Sequence, residues 1–210
     1  RRMPHFAQLL ERGALVEMIE PVLPALTYTC HTSILTGTYA GRHGIVHNEK
    51  MTRGGHLDAP WYCMKSDVRG KTLLDLAREN GLTTCSLSWP VSGGADYTMN
   101  MPKFVPYSYQ GYQPQQWLEH TATANLMDRY FYKHGRYLMG PTRSLDLFTM
   151  ALALDILEDG PQPDIMLVKL CDLDSARHTY GVESEQAETQ LRMHDEQLGD
   201  ILECLRRRGT

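Results

Sequence analysis

An α/β fold with a mainly parallel sheet and helices on both faces is predicted by three features of the 210-residue sequence. Residues 71–89 run helix, glycine, strand (KTLLDLAREN, Gly81, LTTCSLSW), the repeating half-turn of an α/β layer. Asp164 to Leu170 (DIMLVKL) is nearly all apolar, as a parallel strand buried on both faces requires. Residues 184–208 place Leu191, Leu198, Ile201, Leu202 and Leu205 on one face of a long helix.

The remaining elements follow in order. Pro4 suits the first position of a helix with Phe6, Leu9 and Leu10 as its stripe, and Gly13 suits its end. Ala14 to Ile19 reads as a short strand. Glu20 to Thr29 holds Pro21 and Pro24 and reads as a loop, followed by a short helix over Thr29 to Leu35 that Gly37 ends. His47 to Asp67 is polar, with Gly54-Gly55 and Pro60, and is expected as a surface excursion near 48–67. Residues 90–115, rich in Gly, Pro and Tyr, are expected to be one long irregular loop, and loops of that size usually carry function. Helices are expected over 115–134 and 142–158.

Composition excludes several classes. Hydrophobic residues make up 42% and charged residues 22%, ordinary globular usage that argues against disorder. A formal net charge of −4 gives no electrostatic case for a nucleic-acid-binding surface. Nothing approaches the ~18 consecutive apolar residues that span a membrane, and no leader is visible behind Arg1-Arg2-Met3. The five cysteines, Cys30, Cys63, Cys85, Cys171 and Cys204, form no CxxC pair, so neither a structural zinc site nor a disulfide framework is expected. Their number, with eleven methionines, leads to the expectation of a reducing, cytoplasmic setting.

Two segments carry chemistry. In LPALTYTCHTSILTGTYAGRHGIVHN (Leu23 to Asn48), Thr27 stands at the mouth of a short helix. Helix starts present unpaired N–H groups and partial positive charge, which suit a phosphoryl group. A threonine there also serves as a cap, and its hydroxyl is a weak nucleophile until a base or metal strips its proton. In VKLCDLDSARHTYG (Val168 to Gly181), which follows a strand, Asp174 and His178 are four residues apart. A carboxylate and an imidazole from one turn can share a divalent metal, although such a pair also makes a surface ion pair. Asp172 fits a supporting role better than a ligand role. Cys30, beside the helix start, is a candidate reactive thiol. His31 and His43 suit packing and hydrogen bonding, Trp89 suits the core, and Arg206 to Arg208 suit a helix end.

The segment LTYTCHTSILTGTYAGRHGI resembles the nucleophile segment of the type I phosphodiesterase and nucleotide pyrophosphatase family, within the alkaline phosphatase superfamily. Related sulfatases place their nucleophile nine residues before the Thr-Gly, and counting back nine from Thr36 lands on Thr27. Asp174, Ser175, His178 and Gly181 are similar to the family's Asp-Ser-x-x-His-x-x-Gly. GLTTCSLSWPVS (81–92) is similar to its Trp-Pro-x-Ser strand and turn.

The resemblance implies an alkaline phosphatase-like three-layer sandwich, two divalent metal ions with zinc expected, and Thr27 as both nucleophile and metal ligand. One metal would take Asp174 and His178. The substrate would be a small phosphodiester or nucleotide, and Tyr107, Tyr109 and Tyr112 could stack on its base, although covering the core explains them as well. The family's remaining ligands, in an Asp-Gly, an Asp-His-Gly and a later histidine, fall before Pro4 and after Gly209. The 210 residues are therefore expected to be one partial catalytic domain, inactive alone. Two departures stand out. Thr29 replaces a proline, and Cys30 replaces an asparagine that supports the transferring oxygen, which leaves oxyanion stabilisation and substrate preference open. Phosphonoacetate hydrolase and phosphomonoesterase activities share nucleophile and metals and remain alternatives, as does a non-catalytic binding protein on the same fold. A sulfatase would want Cys or Ser at Thr27.

Overall fold

The computed structural model describes residues 3–50, 60–103, 114–139 and 143–209. In chain order the elements are α1 (Pro4–Leu10), α2 (Thr27–Thr36), α3 (Ala40–His43), α4 (Leu73–Glu79), β1 (Thr84–Leu87), β2 (Met99–Met101), α5 (Pro114–Thr121), α6 (Ala124–Leu126), α7 (Tyr132–His134), α8 (Leu145–Asp159), β3 (Ile165–Val168), α9 (Asp172–Tyr180) and α10 (Glu185–Arg208). A π-helical turn, Met127–Phe131, joins α6 to α7. The chain divides into two compact units. One comprises Arg1–Ile19, Arg136–Gln162 and Lys169–Thr210; the other comprises Glu20–Gly135 and Pro163–Val168.

The second unit carries the sheet, in the order β2-β1-β3 with both pairings parallel, so the α/β class expected from the sequence is the one the chain adopts. Strand β1 (TCSL) is buried at all four positions, because it is flanked on both edges. Burial pushes the Cys85 thiol within it up to about 12. Strand β3 differs from expectation: all four of its residues are only half-buried, since it pairs on one edge alone among the described residues. The Asp164 carboxylate, just before it, accepts from the backbone N–H and the hydroxyl of Thr83, both at 2.7 Å, which pins the register of the β1–β3 ladder. Strand β2 lies inside the stretch that composition assigns to irregular structure.

Helix α4 is specified locally. Thr72 caps it by accepting from Asp75 N–H at 3.2 Å, while the Asp75 carboxylate accepts from Thr72 N–H at 2.7 Å, a reciprocal capping box. The Thr72 hydroxyl also meets the buried Tyr97 hydroxyl at 3.1 Å. Helix α2 ends where Gly37 takes a left-handed conformation (φ 62°) and returns its N–H to Ser33, a conformation cheap only for glycine.

The first unit is helical among the described residues. Pro4 opens α1 as expected, but the helix stops at Leu10, and Phe6, Leu9 and Leu10 remain substantially exposed. Its anchor is polar: the buried Asp195 carboxylate accepts from the N–H groups of His5 and Phe6 at 3.1 and 2.7 Å. Gly199 gives α10 its close approach, because a Cβ there would lie 2.7 Å from the His5 ring. The strand expected over Ala14 to Ile19 does not form. Leu15, Val16, Met18 and Ile19 are exposed, and an apolar run with no strand partner among the described residues has no ladder to join.

Candidate active site

Thr27 is the first residue of α2, with Leu26 as the N-cap residue in extended conformation. The helix therefore begins two residues earlier than its sequence suggests, and the Thr27 hydroxyl lies in the first turn rather than ahead of it. The Asn48 side chain accepts from Tyr28 N–H at 3.0 Å, satisfying one donor of that turn; those of Thr27 and Thr29 have no acceptor within the helix, as at every helix start. The Thr27 carbonyl receives His31 Nδ1 at 2.7 Å. The helix is seated by three ring contacts. Tyr28 meets Trp61 edge-on at 5.3 Å, His31 meets Trp89 edge-on at 5.0 Å, and Lys103 Nζ lies 5.8 Å over the Tyr28 ring. Trp89 follows β1 and Lys103 follows β2, so Thr27 belongs to the carboxyl edge of the sheet, where open parallel sheets carry their sites.

The turn after β1 is strained. Ser88 and Val91 hold positive φ values of 55° and 57°, conformations that cost on the order of 1–3 kcal/mol each in non-glycine residues. They aim Trp89 at the His31 ring. Below α2, Ile45 N–H donates to His43 Nδ1 at 3.1 Å, so Nε2 carries the hydrogen and donates to Ser33 Oγ at 2.9 Å. Burial lowers the His43 pKa, keeping the ring neutral in this role. Cys30, half-buried, is one turn along from Thr27 and shares its side of the helix. Thr29, fully buried where a proline is expected, has a hydroxyl without a hydrogen-bond partner among the described residues.

In the other unit, α9 starts four residues beyond the end of β3 and presents Asp174 and His178 at consecutive turns. Asp174 Oδ1 and His178 Nε2 lie 3.6 Å apart, and both side chains are exposed. The segment is helical throughout, and the helix pitch brings these two groups to one edge. Asp172 does not join them. It accepts from the Ser144 hydroxyl, and burial raises its pKa against the effect of that bond. Thr27 and the Asp174–His178 pair thus belong to different units. Tyr107, Tyr109 and Tyr112 lie outside the described residues.

Sequence reasoning did not single out Asn48, Lys103, Asp146 or His194. Asn48 closes the Thr27 segment and could have been read as a remote cap. An acid at position 146 among the apolar residues of α8 is a signal of a buried polar contact. Lys103 had no spacing signal.

A parallel sheet with the start of a hydroxyl-bearing helix at its carboxyl edge defines the class as α/β, with its candidate site where open parallel sheets carry theirs. The sequence model of the type I phosphodiesterase / nucleotide pyrophosphatase family matches residues 1–210, and the chain belongs to that family. It is 21% identical over 216 residues to ectonucleotide pyrophosphatase/phosphodiesterase family member 7 of Rattus norvegicus, covering 97% of this chain and 41% of that protein. It is 24% identical over 217 residues to a venom phosphodiesterase of Naja atra, covering 99% of this chain and 22% of that protein. Among solved structures it is similar to murine ectonucleotide pyrophosphatase / phosphodiesterase 5 in an inactive form with AMP (TM-score 0.56, 19% identity, 98% of this chain and 47% of that one). It is also similar to phosphonoacetate hydrolase of Sinorhizobium meliloti 1021 with phosphonoformate (TM-score 0.59, 19% identity, 97% and 48%). The chain spans less than half the length of these relatives.

The family resemblance implies divalent metals, and the donors present fit in part. Asp174 and His178 supply the oxygen and imidazole nitrogen that zinc takes. Among the described residues no group of three or more His, Cys, Asp or Glu side chains is placed to hold a metal. No helix among them is long and apolar enough to cross a membrane.

Proposed function

We propose that the whole protein hydrolyses phosphodiester or nucleotide pyrophosphate bonds through a covalent phosphothreonyl intermediate on Thr27. The observation that carries the reading is the position of Thr27 as first residue of α2 at the carboxyl edge of the parallel sheet. Asp174 and His178 would hold one divalent cation, zinc by their donor chemistry, and the Thr27 hydroxyl would lie against a second. Such cations, when bound, favour the deprotonated hydroxyl and neutralise charge on the reacting phosphoryl group.

The chain's own part is positional. The Asn48 cap and the His31 bond hold the first turn of α2, so Thr27 Oγ1 presents a fixed direction of attack. Oγ1 bonds to phosphorus as the bond to the leaving oxygen breaks on the opposite side; water then cleaves the threonyl ester and regenerates the hydroxyl. The N-terminal end of α2 favours the phosphoryl charge. A nucleotide or another small phosphodiester is the substrate class, in keeping with the AMP held by the murine relative.

The test compares a bis-aryl phosphodiester, an aryl phosphomonoester and phosphonoacetate, each with zinc, in the whole protein and its Thr27→Ala variant. Diesterase turnover that falls by roughly 1,000-fold or more in the variant supports the reading, that being the scale on which loss of a covalent nucleophile is felt. Preference for phosphonoacetate moves the assignment to carbon–phosphorus bond hydrolysis. Activity that survives the substitution removes Thr27 as nucleophile.

A further inference from the structure

Asp146 is the one acid among the buried residues of α8, which are otherwise apolar except for Thr149, and it is only 2% exposed. Both its oxygens are used. Oδ1 accepts from the N–H of Cys171, and Oδ2 accepts from the N–H of Asp172 at 2.9 Å and meets His194 Nε2 at 2.7 Å. An ionised carboxylate only accepts, so His194, from α10, donates through Nε2. Cys171 is the N-cap residue of α9 and Asp172 its first helical residue. A second tie runs beside the first: Ser144 Oγ caps α8 by accepting from Leu147 N–H at 3.0 Å, and donates to the Asp172 carboxylate. Two helices, α8 and α10, thus converge on the start of α9.

We propose that Asp146, held by His194, is a positioning residue for the Asp174–His178 pair. It fixes where α9 begins, and with it the direction in which the third and seventh residues of that helix project. The inference rests on the reading of that pair as cation ligands. At 3.6 residues per turn, a one-residue slip in the helix start would swing the pair's edge by about 100°. The carboxylate resists that slip by accepting from the first two N–H groups, which have no acceptor within the helix, and by placing negative charge at its positive end. Asn in its place would keep the shape but turn an amide NH₂ toward a donor, either a backbone N–H or His194.

The experiment is a Co²⁺ titration of the metal-free whole protein, followed by the visible absorption of bound cobalt, with His178→Ala marking the step that belongs to the pair. Asp146→Asn and His194→Leu are expected to weaken that step by roughly 10- to 100-fold, the range for residues that orient metal ligands. His194→Gln keeps an N–H donor toward Asp146 and is expected to stay near wild type. In the His178→Ala background, Asp146→Asn should add no further loss, since both act on one site.

Wild-type cobalt binding in Asp146→Asn and His194→Leu, beside a loss in His178→Ala, would overturn the inference and leave the ligand reading standing. Losses that add independently, or a His194→Gln variant as weak as His194→Leu, would also overturn it, pointing to general destabilisation. Undiminished binding in His178→Ala would remove the ligand reading and the inference with it. If Asp146→Asn does not fold, the two His194 variants decide the matter between them.

Discussion

Asp174 Oδ1 and His178 Nε2 lie 3.6 Å apart on one edge of α9, with side chains 63% and 81% exposed. Water screens an ion pair at such a site, and the helix gains little from it. In the reading proposed above, the two groups serve a cation rather than the helix.

Metal affinity and stability should therefore separate at this pair. Asp174→Asn and His178→Ala are expected to unfold in urea, metal-free, within about 0.5 kcal/mol of wild type, as exposed substitutions do. Diester turnover at low zinc should nonetheless be lost. A large fall in metal-free stability would show instead that the pair serves the helix.

His43 is expected to set the pH response of α2. Its ring is buried and neutral, accepting from Ile45 N–H and donating to Ser33, and burial holds its pKa below the ordinary 6.5. The unfolded chain therefore binds a proton more readily than the folded one. Stability contributed by this group is present above about pH 6.5 and is lost as pH falls from there toward the folded value, by at most about 1.4 kcal/mol per pH unit. Urea midpoints measured from pH 7.5 to 5 should fall in wild type more steeply than in His43→Gln, which does not titrate. Parallel slopes would assign the acid response to other groups.

How much of this was legible in the sequence depends on whether the determinant was local. The KTLLDLAREN helix before Gly81, the DIMLVKL strand and the Leu-rich α10 were readable because spacing and helix stops act within one element. The four-residue separation of Asp174 and His178 likewise foretold their shared edge, since helix geometry alone enforces it. Elements defined by partners were not readable. Strand β2 is three residues long and exists through its ladder with β1, whereas Ala14 to Ile19 has the pattern of a strand and forms none. The start of α2 was misplaced because its cap comes from Asn48, twenty residues on. The role of Asp146 depends on backbone donors 25 and 26 residues away, a distance no spacing rule covers.

Thr29 offers a test of a single buried hydroxyl. It is fully buried in the first turn of α2, and its Oγ1 has no partner among the described residues. An unpaired buried hydroxyl costs roughly 1–3 kcal/mol, and valine has the same branched shape without it. Thr29→Val is expected to be neutral or to raise stability by about 1 kcal/mol, read as a shift of the urea midpoint. A loss of similar size would mean that the hydroxyl is bonded in solution, by water or by a group outside the described residues.

The cysteines give a chemical probe of the Thr27 surroundings. All five are free thiols, and four, Cys63, Cys85, Cys171 and Cys204, are buried, while Cys30 is half-buried. Burial excludes the reagent, and at Cys85 it also suppresses the thiolate that would react. Treatment of the native protein with N-ethylmaleimide should therefore place the first adduct on Cys30, identified by peptide mass mapping. Because Cys30 shares a helix side with Thr27, the adduct would crowd the Thr27 hydroxyl, and under the proposed mechanism diester turnover should fall in step with labelling. Cys30→Ser should keep turnover within about tenfold of wild type and resist the reagent; a serine that small leaves the approach to Thr27 open and retains a hydroxyl donor. If Cys30→Ser is itself inactive, the thiol takes a direct part in binding the transferring group. If Cys30→Ser is inactivated as fast as wild type, the reagent acts elsewhere and Cys30 does not border the reacting atoms.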